Sequence, residues 1–249
     1  MGGVARRATF IKAVHAEAEH VLLVDVGNSL LREHDPAKRT RGRTSIEAMN
    51  LLGYDAAAIG GLDIYVLSAA ELRERIQEAD FPIVSANAVL AGTDELVAEP
   101  YTILDLADHK VGIIGLTDAA SGQDLETLDP VLAVRRWLPD VQRSADIIVL
   151  LSHAGEDADA RVLGQFPEID VVVSGRDMAS DPCAGGSVQA DASLGIPSTT
   201  FAGDRVGMAF LSFDKSGRLL SRQWADVPLT VSFDPDEAMA AWVQETMAP

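Results

Sequence analysis

Four short stretches hold the residue types that bind ions and move protons: Asp25-Val26-Gly27-Asn28, Gly60-Gly61-Leu62-Asp63, Ser152-His153-Ala154-Gly155 and Gly175-Arg176-Asp177-Met178. Oxygens on Asp25, Asn28, Asp63 and Asp177 suit one hard cation such as Mg²⁺ or Ca²⁺ if they converge. Asp25 and Asn28 are equally natural turn residues after a strand. His153 offers a nitrogen ligand, yet ligands work in sets, and a buried, hydrogen-bonded histidine is the structural alternative. The Arg176 guanidinium has the fork that binds phosphate or carboxylate; a salt bridge to Asp177 or Asp63 is its other use. Cys183 is either a plain loop thiol or a soft ligand beside His153 and Asp177.

Each stretch ends an apolar run: VLLVDV at 21–26, DAAAIG at 55–60, ADIIVLLSH at 145–153 and IDVVVSG at 169–175. Runs this short suit buried parallel strands, and the ends of the first three would share one rim of a sheet, where chemistry gathers in α/β folds. Helices are expected between them. Val4, Ala8, Ile11 and Ala18 form a helical stripe. Thr44 with Glu47 and Ser68 with Glu71 have capping-box spacing, the first helix closed by Gly53 and the second running through Ala79 to the strand FPIVSA. A helix from Val131 should be interrupted at Pro139, another should run through Gln165, and a last one lies near 235–247. YTILDLA and KVGIIGLTD, parted at Asp108-His109, should pair as an antiparallel hairpin and make the sheet mixed. Segments 187–190, 197–201, 206–213 and 218–226 read as successive antiparallel strands, with a turn at 214–217. Gly185 to Ser187 is the one candidate joint. With no repeat or long linker, residues 1–249 read as a single α/β domain with two sheets covered by helices.

The 249 residues carry 20 Lys plus Arg against 38 Asp plus Glu, a formal charge of −18. That excludes a generally basic nucleic-acid binder, and an anionic ligand would need a metal or a local basic patch. The stretch from Arg32 to Arg43, with Lys38, Arg39 and Arg41, is either such a patch or a solvated loop. The longest aliphatic run, Ile147 to Leu151, falls far short of the ~20 residues of a membrane span. One cysteine forms no internal disulfide and leaves the compartment open.

The order and spacing of these motifs resemble the calcineurin-like metallophosphoesterases, most closely the catalytic domain of bacterial 5′-nucleotidases. GGVARRATFIKAVHAE is similar to the helix before that family's second motif, EAMNLLGYDAAAIGGLD to its EAMN-LGYDA-GNHE-D segment, and ADIIVLLSHAGEDADARVLGQFPEIDVVVSG to the segment joining its SH and GHxH motifs. The resemblance implies a four-layer αββα sandwich with two mixed sheets. It also implies a chain lacking the family's first strand and the substrate-binding domain that often follows. The family's chemistry uses two divalent metals held by His, Asp and Asn. In this sequence Asn28 stands at the bridging aspartate, Gly61 and Leu62 at the asparagine ligand and catalytic histidine, and Arg176 and Met178 at the two histidines of GHxH, while His153 matches unchanged. The resemblance therefore implies His153 and Asn28 as the remaining metal positions and a cleft lined by Asn28, Asp63, His153 and Arg176.

From this we expect a divergent member, impaired in catalysis, that holds a small anion such as phosphate or a nucleotide or serves in assembly. No cofactor is expected. The alternative is an active phosphoester hydrolase using Mn²⁺, Zn²⁺, Mg²⁺ or Co²⁺, its metal site completed from outside the chain. A partner or second copy adding a strand at an open sheet edge is a third expectation, and export to the periplasm is implied by resemblance alone.

Overall fold

The computed structural model describes residues 2–31, 36–175 and 203–247, and the backbone alone of 194–197. Helix α1 (Val4–Glu17) leads to β1 (Val24–Asp25), α2 (Arg43–Leu52), β2 (Ala56–Ala58), α3 (Gly61–Val66), α4 (Ala69–Glu78) and β3 (Ile83–Val84). β4 (Ala88–Leu90), β5 (Tyr101–Leu106), β6 (His109–Leu116), β7 (Leu125–Thr127), α5 (Pro130–Gln142), β8 (Ile147–Ser152), α6 (Glu156–Leu163) and β9 (Val171–Ser174) follow. The chain then passes through β10 (Leu194–Pro197), β11 (Arg205–Phe213), β12 (Leu219–Pro228) and α7 (Glu237–Met247).

Two sheets stack face to face. The first, β1-β2-β3, is parallel; the second has the order β10-β9-β8-β6-β5 and is parallel except for β5, which returns antiparallel on β6. Val26, Ala56, Ala58 and Val84 from the first sheet meet Val111, Ile113, Val149, Leu151 and Val171 from the second in the middle layer. On the outer face of the first sheet lie α2, α3 and α4, closing a core around Ile46, Ile59, Ile64 and Leu72. Helices α5 and α6 cover the other sheet over Leu116, Val134, Leu150 and Val162. This is the expected αββα sandwich. All six residues of β8 are buried, because helices cover one face and a sheet the other; a continuous aliphatic run with no alternation is what such a strand requires.

Local chemistry explains most element ends. Ser68 Oγ accepts the Glu71 amide at 3.3 Å while Glu71 Oε2 accepts the Ser68 amide at 2.9 Å, the capping box its spacing foretold. The Thr44–Glu47 reading is corrected: α2 starts at Arg43 behind Gly42, whose φ of 88° gives the left-handed cap, although Gly53 does close the helix at φ 71°. Helix α5 is not interrupted at Pro139. Pro139 and Arg135, the residue whose carbonyl loses its partner, both face solvent, so the missing amide bond leaves no buried carbonyl unpaired.

The end of the chain also departs from expectation. β11 and β12 form the antiparallel hairpin with its turn at 214–217, but β10 pairs parallel with β9 and starts earlier than the predicted 197–201 segment. Segment 187–190, the 185–187 joint and Cys183 lie outside the described residues.

Candidate functional site

The strand ends predicted to carry chemistry do meet at one end of the sandwich, though on the rims of two sheets rather than one. β1 delivers Asp25 to Asn28 and β2 delivers Gly60 to Asp63; from the facing sheet β6 brings Thr117 and Asp118, and β8 brings His153. The rims are stitched together: Thr117 Oγ1 donates to the Ile59 carbonyl at 2.8 Å, and the Gly61 amide donates to Asp118 Oδ1 at 2.6 Å.

The backbone at β1 turns sharply, with Gly27 at φ 102° and Asn28 in the left-handed region at φ 58°. A side chain on Gly27 would press on the Gly60 amide 2.6 Å away, so glycine is required there. Asn28 tolerates its conformation better than most residues. Its Oδ1 accepts the Leu62 amide at 2.8 Å, and its own amide donates to Asp63 Oδ2 at 3.1 Å. The same Asp63 oxygen accepts the Gly60 amide at 3.0 Å. Asp25 Oδ1 accepts the Gly27 amide at 2.9 Å and the Ser29 hydroxyl, the turn role open to it from sequence.

Asp63 is 1% exposed. Burial pushes its carboxyl up to about 7 against the pull of two amide donors, and the charges of Asp25 and Asp118 add to the rise. Its second oxygen is buried without a hydrogen-bond partner. His153, 6% exposed, is held by its amide, which donates to the Leu116 carbonyl at 2.7 Å. Behind it, Ser152 and Ser174 hydroxyls donate to buried Asp159, the latter at 2.7 Å, tying α6 to the ends of β8 and β9.

Of the predicted residues, Asn28 and Asp63 are joined directly, and His153 is set on the opposing rim. Arg176, Asp177 and Met178 lie outside the described residues. Sequence reading missed Asp118 and Thr117, although KVGIIGLTD was recognised as a strand and its end deserved the attention given to the other strand ends. It also missed Asn87, whose Nδ2 donates to the Thr117 carbonyl and whose Oδ1 accepts the Thr117 amide, both at 2.8 Å. Arg41, offered as part of an anion patch, is spent inside the fold: it clamps Glu71 at 2.7 and 2.8 Å and the Val66 carbonyl at 2.7 Å.

Asn28 Oδ1 and one oxygen of Asp63 are taken by main-chain amides, while the other Asp63 oxygen is buried without a hydrogen-bond partner. Among the described residues no group of three or more His, Cys, Asp or Glu is arranged to hold a metal ion. The described donor set does not fit a dinuclear centre, which draws on several converging carboxylates and imidazoles.

No protein-family model matches the chain. Its sequence is 34% identical over 192 residues to a snake venom 5′-nucleotidase of Gloydius brevicauda, covering 70% of this chain and 31% of that protein. The chain belongs to the calcineurin-like metallophosphoesterases. It is a homologue of the 5′-nucleotidases within them, and it spans about a third to a half of the length of curated relatives it matches. The metallophosphoesterase fold is shared with a Thermus thermophilus sulfate thiohydrolase solved with glycerol, at TM-score 0.87 and 18% identity over 100% of this chain and 47% of that one. A 5′-nucleotidase precursor from Thermus thermophilus superposes at TM-score 0.82 with 24% identity, over 99% of this chain and 54% of its own.

Proposed function

We propose that this metallophosphoesterase homologue is a binding module in which hydrolysis has been lost and the former metal cleft holds a small anion such as phosphate or a nucleotide. The observation that carries the reading is the engagement of Asn28 Oδ1 by the Leu62 amide at 2.8 Å. A ligand bridging two cations must turn its lone pairs toward both, and this one is turned toward the protein. One oxygen of Asp63 is likewise occupied, by two amides, which gives this carboxylate a structural role in this reading. The anion's positive partner in this reading is Arg176, which follows β9 in the sequence and whose guanidinium fork suits an oxyanion without a metal.

Elemental analysis of the purified chain and turnover assays on AMP and an aryl phosphate with added Mn²⁺, Zn²⁺ or Co²⁺ test the loss of hydrolysis. The expected result is no stoichiometric transition metal and no turnover; turnover abolished by His153→Ala would sink the proposal. Calorimetric titration with inorganic phosphate, compared between the native chain and Arg176→Gln, tests the anion.

A second reading has support in the chain's share of its relatives' length: an active metal-dependent phosphoester hydrolase whose metal site is completed by residues outside these 249. It requires about two metals per chain once the missing ligands are supplied. Export belongs to the same family-based proposal; among the described residues no helix is long and apolar enough to cross a membrane.

A further inference from the structure

Asp159, the fourth residue of α6, is 2% exposed. Among the described residues its oxygens are met by hydroxyls and not by a cation: Ser152 donates to Oδ1, and Ser174 donates to Oδ2 at 2.7 Å. Burying a carboxylate this way is costly, and burial pushes its carboxyl above the ordinary value against the pull of the two hydroxyls. Apolar side chains would fill the space between α6 and the strand ends without that cost. What the carboxylate adds is direction. It only accepts, so Ser152 spends its single proton on Asp159, and its oxygen is left to take the Ala154 amide at 3.1 Å.

His153 lies between Ser152 and Ala154. Its own amide donates to the Leu116 carbonyl at 2.7 Å, so the main chain is fixed on one side of it by β6 and on the other by the Asp159–Ser152 pair. The Ser152 carbonyl accepts the Gly175 amide at 2.7 Å, and Ser174 is held by the same Asp159, so one carboxylate governs the ends of both β8 and β9. Gly175 there lies so close to β1 that a Cβ would come within 2.5 Å of the Val26 side chain. We propose that Asp159 is a positioning residue of the cleft: acting through the Ser152 hydroxyl, it sets the backbone that aims His153 and holds the end of β9 in register. The proposal deepens the anion reading and rests on it for what His153 meets in the cleft; the aim of the side chain is tested without a ligand.

The α–β proton couplings of His153, read by nuclear magnetic resonance on the full chain, report its rotamer. A general loss of stability does not move them, because only folded molecules contribute. The native chain and Asp159→Asn are expected to show one staggered rotamer, since the asparagine oxygen still accepts from Ser152 while its amide donates to Ser174. Asp159→Ala should give rotamer-averaged couplings. Ser152→Ala keeps the tie between Asp159 and Ser174 and should give the same, which serves if Asp159→Ala fails to fold. A single rotamer in either alanine variant, or averaged couplings in the native chain or Asp159→Asn, would overturn the proposal. Titration with inorganic phosphate separates the two claims. No binding by the native chain defeats the anion reading and leaves the couplings to decide this one. Where the native chain binds, Asp159→Ala should weaken affinity roughly ten-fold, as when the support behind a ligand-binding group is lost, and undiminished affinity would overturn the positioning role.

Discussion

The carboxylate of Asp118 occupies the place that a side chain at residue 61 would fill: a Cβ built on Gly61 runs into all of that carboxylate's atoms, and the Gly61 amide donates to it at 2.6 Å. The resemblance sets position 61 at an asparagine ligand of the family. With Asp118 as placed, a side chain at position 61 and the Asp118 carboxylate compete for one volume. Restoring asparagine alone should fail. Gly61→Asn is expected to cost at least about 2 kcal/mol in denaturant unfolding through overpacking against a charged group, and adding Asp118→Ala should recover about 1 kcal/mol or more. Strict additivity in this double-mutant cycle would show that the two residues do not compete.

Asp63 gives the chain an unusual pH response. Its folded value near 7 lies above its ordinary 3.8, so the native state holds its proton more tightly than the unfolded chain. The stability this adds is complete below about pH 4 and is lost as pH rises through 7, a swing on the order of 4 kcal/mol from this group. Asp63→Asn should flatten that slope, because the amide oxygen still accepts from Gly60 and Asn28 while nothing titrates. Chemical unfolding of both proteins at pH 5 and pH 8 is the comparison; identical slopes would refute the assignment.

Glu71 works in the opposite sense. Its hydrogen bonds from Arg41, aided by the Ser68 amide, hold its carboxyl down at about 2. Its share of stability is present above the ordinary value near 4.5 and is lost as pH falls toward 2. The pair is partly open to solvent, with side chains 42% and 32% exposed, so screening reduces the electrostatic part. Glu71→Ala also removes the capping box of α4, and a total loss of about 1–2 kcal/mol at pH 7 is expected. Thermal unfolding at low and high salt separates the contributions, since only the ion pair weakens with salt.

The strands that build the two sheets were legible because each is a short aliphatic run ended by polar residues, and both faces of each sheet are covered. The Ser68–Glu71 cap was legible because its hydrogen bonds are local. Thr44–Glu47 has the same spacing but misled, since Gly42 turns the chain into α2 two residues earlier. Helix α3 was missed: six residues are too few for a period to show, and its start is held by its own Asp63 together with Asn28 and Asp118 from distant parts of the chain. The site followed the same rule. Asn28, Asp63 and His153 stood out by position, whereas Asp118 has meaning only once β6 is laid beside β2.

Asn28 brings the local and long-range effects together. Its left-handed backbone permits an Oδ1 bond to Leu62 and an amide bond to Asp63, so it fixes both the β1 turn and the start of α3. Asn28→Ala forfeits the side-chain bond and places a less tolerant residue at φ 58°, for an expected loss of about 1–2 kcal/mol. Asn28→Asp is the more telling change. It restores the charge that the family pattern has at this position and keeps an oxygen for Leu62, but sets a new carboxylate beside Asp63. If the lost amide were all that had barred metals, Asn28→Asp would take up Mn²⁺ or Zn²⁺ in a calorimetric titration. Because the described residues bring no group of three or more His, Cys, Asp or Glu together, no stoichiometric uptake is expected, and the new charge should raise Asp63 further and steepen the loss of stability above pH 7.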